Sequence, residues 1–177
     1  NVNPVPRPNF STDNRGCRPL DVAFENQTTI SEGGQISSYE WKLGNGQQSN
    51  REAPETIYEE PGTYNVTLKV TSEKDCKATL SRKDYIQVFD KPDVDFAADP
   101  VLTTINAPKV DFENLTAGDN TPIQYLWSFG ESNRFEANAS TMENPSHTYA
   151  DTGAFTVRLK ATNNKGCIDS LVRKDYV

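Results

Sequence analysis

Few side chains in this sequence could do chemistry, and their spacing limits what that chemistry could be. The single histidine, His147, stands in Pro145-Ser-His-Thr-Tyr149, with Ser146 beside it and Asp151 shortly after. A nucleophile and its base could be drawn from such a set. No glycine-framed turn presents Ser146, however, so the histidine reads as structural and no catalytic residue is expected. No His/Cys cluster has zinc spacing, and no glycine-rich loop precedes a helix to hold phosphate.

Carboxylates offer more. Asp90, Asp93 and Asp95 crowd one short stretch, and a hard cation such as calcium needs several such oxygens at once. Glu59, Glu60 and the loop residue Asp119 complete a candidate calcium set as the only cofactor in prospect, against the alternative of a solvated acidic linker. No EF-hand spacing accompanies them. Phe135, in an enlarged loop between Gly130 and Pro145, is the candidate for an exposed aromatic that contacts a ligand.

These residues are set in a text written twice. Phe24-Glu-Asn-Gln-Thr28 returns as Phe112-Glu-Asn-Leu-Thr116, and Trp41-Lys-Leu-Gly44 as Trp127-Ser-Phe-Gly130. Gly62-Thr-Tyr-Asn-Val-Thr-Leu-Lys69 returns as Gly153-Ala-Phe-Thr-Val-Arg-Leu-Lys160, and Arg82-Lys-Asp-Tyr85 as Arg173-Lys-Asp-Tyr176. A period of about 90 residues suits two complete domains, each able to bury a modest core. The expected domains are 1–90 and 91–177. Residues 1–5 resemble the tail of a preceding repeat, so the sequence reads as a segment of a longer array.

Composition sets further bounds. The hydrophobic fraction is 34% and no apolar run is long enough to cross a bilayer. A net charge of −7 argues against nucleic acid and anionic lipid as partners, since both call for a basic face. Cys76 and Cys167 are equivalent positions, whereas Cys17 matches Ile105. The economical reading is a Cys17–Cys76 disulfide in the first domain, with Cys167 unpaired and buried beside Ile105. That bridge would close a loop of about 58 residues, worth roughly 4 kcal/mol, and would imply an oxidising compartment. Three small buried thiols is the alternative.

Alternation supplies the elements. Tyr64, Val66, Leu68 and Val70 alternate with polar residues, and Phe155, Val157, Leu159 and Ala161 do the same. Asn45-Gly46 and Pro61-Gly62 mark turns. The pattern predicts about seven strands per repeat, near 8–12, 20–26, 37–43, 47–50, 54–58, 62–72 and 77–88 in the first and 93–98, 108–113, 122–129, 133–136, 145–149, 153–163 and 168–177 in the second, and so an antiparallel β-sandwich. Trp41 and Trp127 fall on the third strand as central core residues. An odd number of strands would carry the chain in at one end of a domain and out at the other.

The sequence resembles the PKD (polycystic kidney disease) domain, whose signature runs approximately Trp-Asp-Phe-Gly-Asp-Gly, then Pro-x-His-Thr-Tyr, then Gly-x-Tyr-x-Val-x-Leu. The second repeat carries Trp127-Ser-Phe-Gly130, Pro145-Ser-His-Thr-Tyr149 and Gly153-Ala-Phe-Thr-Val-Arg-Leu159. The first carries Trp41-Lys-Leu-Gly44-Asn-Gly46, Pro54-Glu-Thr-Ile-Tyr58 and Gly62-Thr-Tyr-Asn-Val-Thr-Leu68. The acidic positions of the first motif are departed from, with Lys42 and Asn45 in one repeat and Ser128, Glu131 and Ser132 in the other. The resemblance implies an all-β fold of two tandem immunoglobulin-like sandwiches. The Gly16-Cys-Arg-Pro-Leu20 opening with a late Cys76 is similar to repeats in giant Bacteroidota surface and gliding-motility proteins. It implies a non-catalytic extracellular stalk or adhesin segment at the bacterial cell surface, with neighbouring repeats as partners. An accessory module of a secreted hydrolase, binding polysaccharide or protein, is the alternative.

Overall fold

Strict alternation over Tyr64–Val70 puts Val66, Leu68 and Val70 wholly out of water, while Thr67 and Lys69 stay half-exposed. Glu55–Tyr58, Lys109–Asn114 and Val157–Thr162 alternate buried and more exposed residues in the same way. The computed structural model describes residues 4–118, 123–131 and 138–177, and the chain divides into two units, Asn1–Phe89 and Asp90–Val177. The first unit holds β1 (Pro6–Arg7), β2 (Phe10–Ser11), β3 (Arg15–Cys17), β4 (Leu20–Ala23), β5 (Glu25–Asn26) and β6 (Thr29–Ile30). It continues with β7 (Ile36–Lys42), β8 (Gln48–Ser49), β9 (Glu55–Tyr58), β10 (Gly62–Ser72) and β11 (Lys77–Phe89). The second holds β12 (Phe96–Asp99), β13 (Lys109–Asn114), β14 (Gln124–Ser128), β15 (Ala139–Ser140), β16 (Ser146–Thr148), β17 (Val157–Thr162) and β18 (Ile168–Arg173). No helix appears among the described residues, and none is long and apolar enough to cross a membrane.

In the first unit a five-stranded sheet, β3-β11-β10-β7-β8, faces the pairs β1–β6, β2–β5 and β4–β9. In the second, β15-β14-β17-β18 faces β12-β13-β16. This is the expected all-β architecture of two sandwiches. Among the described residues the one parallel strand pairing is β3 with β11, where Arg15, Gly16 and Cys17 lie opposite Gln87, Val88 and Phe89. The sequence reading placed one strand at 8–12. Only Phe10–Ser11 of that stretch is laddered, as β2, with β1 and β3 as separate short strands to either side; Pro8, which offers no N–H to a ladder, stands between β1 and β2. The strand expected from 153 is laddered only from Val157, and the one expected at 133–136 lies outside the described residues.

Each core closes on an indole. Trp41 is 1% exposed and meets Phe10 and Phe24 at centroid distances of 5.1 and 5.3 Å. Trp127, fully buried, meets Phe96 and Phe112 at 5.2 and 5.6 Å. A buried indole N–H needs an acceptor. Trp41 Nε1 donates to the Arg51 carbonyl at 3.0 Å, and Trp127 Nε1 to the Met142 carbonyl at 2.9 Å. Gly44 and Gly130, just beyond, sit at φ +88° and +86°; a Cβ there would lie 2.5 and 2.6 Å from the carbonyl oxygens of Asn65 and Thr156. Only glycine fits.

The repeated Arg-Lys-Asp-Tyr motif ties β2 to β11 in the first unit and β12 to β18 in the second. The Arg82 guanidinium lies 4.7 Å from the Phe10 ring centroid and 4.8 Å from that of Tyr85, and Nη2 donates to Asn9. Arg173 covers Phe96 and Tyr176 at 5.2 and 5.1 Å and pairs with Asp95 at 2.8 Å. Asp84 and Asp175, both at φ 49°, turn the chain between the arginine and the tyrosine.

Tyr58 and Tyr149 occupy equivalent places with unequal bonding. The Tyr58 hydroxyl donates to the Leu43 carbonyl at 2.6 Å, whereas the buried Tyr149 hydroxyl has no partner among the described residues. Burial first pushes both phenols up; neighbouring Tyr64 adds to the effect at Tyr58, and Glu131 adds to it at Tyr149. Tyr58→Phe should therefore cost about 1–2 kcal/mol, since it strands a buried carbonyl. Tyr149→Phe should be neutral within about 0.5 kcal/mol, or stabilising. The raised phenols also predict that both units keep this contribution below about pH 10, the unfolded value, and lose it above. Residue-resolved amide exchange on each variant across alkaline pH measures both effects.

Candidate functional site

The residue with most catalytic promise is sealed in the core. His147, on β16, is 7% exposed, and its ring stacks on Phe129 at 4.3 Å and meets Tyr149 edge-on at 4.6 Å. Its Nε2 lies 2.9 Å from Glu131 Oε2, while Glu131 Oε1 accepts the Ala150 N–H at 2.7 Å. Asp151 and Ser146 are both exposed, so the structure does not bring them together with the histidine in a cleft. In the first unit Asn45 and Thr56 take these two places: Asn45 Nδ2 donates to Thr56 Oγ1 at 2.9 Å, and Thr56 Oγ1 to Gln47 Oε1 at 2.7 Å. A charge-capable buried pair in one unit is a neutral network in the other. Glu131 is the residue that motif reading undervalued. The available signal was that Asn45/Thr56 and Glu131/His147 change together between repeats.

The candidate calcium ligands are separately engaged. Asp95 Oδ1 pairs with Arg173 at 2.8 Å and accepts its own neighbour's N–H from Phe96. Asp93 bridges Ala117 through its backbone, and Asp90 Oδ1 accepts the Lys91 N–H at 2.8 Å. Glu59 and Glu60 are exposed in the turn between β9 and β10, where the Glu60 carbonyl accepts the Tyr64 hydroxyl. Asp119 and Phe135 lie outside the described residues. Among the described residues, no group of three or more His, Cys, Asp or Glu could hold a metal ion.

The expected Cys17–Cys76 bridge does not form. Cys76 is free and half-buried, and Cys17 and Cys167 are the disulfide-bonded cysteines. Strand geometry gives the reason. Cys17 lies opposite Phe89 at one end of β11, and Cys76 immediately precedes Lys77 at the other. Thirteen strand residues separate those ends, roughly 40 Å at strand rise, where a disulfide needs Cα atoms within about 7 Å. Cys167 is neither unpaired nor packed beside Ile105, which is 71% exposed.

The outward faces differ as well. Over β7 and β10 lies a groove of about 720 Å³ lined by Ser38, Glu40, Lys42, Gln48, Thr67 and Lys69. Lys69 Nζ meets Glu40 Oε1 at 2.8 Å, and that hydrogen bond holds the Glu40 carboxyl below its usual range. In the second unit Leu126 stands where Glu40 does and Val172 where Ser81 does, 48% and 46% exposed. The first face is wet and paired; the second is partly apolar.

Both units thus share one plan of strands, indole and arginine clamp. The profile of the PKD domain matches residues 1–88 and again residues 90–177. The chain belongs to the PKD domain family. Over 55 residues it is 46% identical to the pre-pro-metalloprotease PrtV of Vibrio cholerae serotype O1 (strain M66-2), covering 31% of this chain and 6% of that protein. Over 91 residues it is 32% identical to the collagenase ColA of Clostridium perfringens (strain 13 / Type A), covering 51% of this chain and 8% of that protein. The crystal structure of the PKD1 domain of Vibrio anguillarum Epp is 34% identical, covers 49% of this chain and 99% of that one, and superposes with a TM-score of 0.43. The chain thus spans only a small part of the length of these curated relatives.

Two outcomes follow. A thiol reagent should label the native, oxidised PKD pair once, at Cys76, and label Cys17 and Cys167 only after reduction; mass spectrometry of the digested protein reads this directly. His147→Thr alone should cost about 3 kcal/mol by leaving buried Glu131 without its partner. Adding Glu131→Asn, which copies the first unit's chemistry, should restore at least about 1 kcal/mol. Strict additivity in denaturant melts of the four proteins would refute the coupling.

Proposed function

We propose that this PKD pair is a non-catalytic stalk or adhesin segment of an extracellular bacterial surface protein, bearing tension between its neighbours. The observation that carries the reading is the parallel pairing of β3 with β11. An early strand, β3, and the last strand, β11, that run the same way bring the chain into the unit at one end and out at the other. Pulling on the unit then loads those strands in shear. Bonds such as Gln87 N–H to Asn14 at 2.8 Å and Arg18 N–H to Phe89 at 3.0 Å resist together rather than one after another. The Asn14 side chain adds a bond to the Tyr85 carbonyl at 2.9 Å. The disulfide-bonded Cys17 and Cys167 support an oxidising, extracellular setting. Burial of His147 supports a module without chemistry of its own. Neighbouring repeats and a surface polysaccharide or protein are the partners that suit it.

A second reading, an accessory binding module of a hydrolase, draws on the PrtV and ColA likenesses. Single-molecule extension separates the two. Asn14→Ala, and more strongly Gln87→Pro, should lower the unfolding force of the first unit and leave that of the second unchanged. An unmoved first-unit force, together with retention of the protein on insoluble collagen or polysaccharide, would reverse the choice.

A further inference from the structure

Three lysines stand in a diagonal row on the outward face of the five-stranded sheet. Lys42 on β7 lies opposite Thr67 on β10, Lys69 on β10 opposite Thr79 on β11, and Lys77 on β11 opposite Thr71. Each lysine is therefore one strand over and two residues along from the last. That step is roughly 7–8 Å, so the row spans about 15 Å. Lys42 and Lys77 are exposed and Lys69 is half-buried.

The row has little acid to answer it. Ser38–Lys42, Thr67–Thr71 and Lys77–Ser81 contain a single carboxylate, Glu40. The Lys69 hydrogen bond at 2.8 Å, aided by the charges of Lys77 and Lys42, holds that carboxyl below its usual range. Three ammonium groups around one carboxylate reverse the sign of the chain's net charge of −7. At physiological salt, charges more than about 8 Å away are largely screened, so the local sign decides what can settle there.

The rest of the face narrows the partner. Over Thr67–Thr71 the main chain of β10 is paired on both sides, so the middle of the face gives a peptide no strand to add to. None of the exposed large apolar side chains among the described residues lies on it, so it lacks the apolar anchors of a protein interface. Beside the lysines it offers hydroxyls and amides instead: Thr79, the Thr67–Ser81 pair at 2.9 Å, and Gln48 opposite Lys42. The second unit supplies the contrast. Leu126, Ser128, Ile168 and Val172 hold the places of Glu40, Lys42, Lys77 and Ser81.

We propose that this face binds an anionic polysaccharide, laid across the strands along Lys42, Lys69 and Lys77. Acid groups of the sugar chain meet the ammonium groups, and its hydroxyls meet Thr67, Thr79, Ser81 and Gln48. The site goes beyond the stalk reading and stands without it, since none of these side chains lies in the β3–β11 pairing.

The test uses the whole 177-residue protein. Polygalacturonate, with one carboxylate per sugar, is the probe; dextran and polyglutamate serve as the uncharged sugar and the sugar-free anion. Calorimetric titration should show binding to polygalacturonate alone, weakening about tenfold from roughly 50 to 200 mM NaCl. Lys42→Ser with Lys77→Ile, which copies the second unit, should lower affinity about tenfold and flatten the salt dependence. Glu40→Gln should tighten binding about twofold or more, a gain that misfolding cannot produce. Unchanged affinity in the double variant, equal binding of dextran or polyglutamate, or no binding at the lower salt would overturn the proposal. The first unit's unfolding force should stay the same in every variant, which keeps this result separate from the stalk reading.

Discussion

One indole in each unit sets the terms for everything around it. Trp41 and Trp127 must be dry on both faces, yet each carries an N–H that cannot be left unpaired. The dry faces draw in two phenylalanines from the opposite layer, Phe10 and Phe24 in one unit and Phe96 and Phe112 in the other. The N–H fixes the loop that follows β8 and β15 by taking a carbonyl from Arg51 and from Met142. The chain just past the tryptophan must then clear the next strand, which Gly44 and Gly130 allow. A substitution at any of these points would disturb both sheets, because the indole is what joins them.

Around that shared frame the two units have diverged where divergence costs little. A Glu–His pair replaces an Asn–Thr pair in the same buried corner, and each is locally satisfied. The outer sheet face trades Glu40 and Ser81 for Leu126 and Val172 without touching the core. The arginine clamp keeps its aromatic partners but swaps its polar one, Asn9 for Asp95. Core geometry is held by volume and backbone acceptors, while the surfaces are free to take on separate partners.

Much of this was legible in the residues. Alternation in Tyr64–Val70 gave the strongest strand its face, and repetition of the tryptophan and Arg-Lys-Asp-Tyr motifs gave two cores rather than one. Boundaries were less legible where prolines break the first strand. Site chemistry was least legible. His147 stands in a motif that draws the eye, but its contact with Glu131 is not visible there, because the two residues lie on separate segments and no local pattern announces such a pair. The cysteines misled for a related reason. Pairing Cys17 with Cys76 keeps the bridge within one repeat, and only the placement of β3 along β11 shows the two at opposite ends.

The sequence by itself determined the class of fold, its duplication and the residues of both cores, because periodicity and side-chain volume are local properties written in order along the chain. The tertiary structure decided which way β3 runs beside β11, which cysteines are oxidised and what seals His147. Each of those depends on register between segments far apart in sequence. Register is set by the summed packing and hydrogen bonding of whole sheets, and no short window of residues contains it.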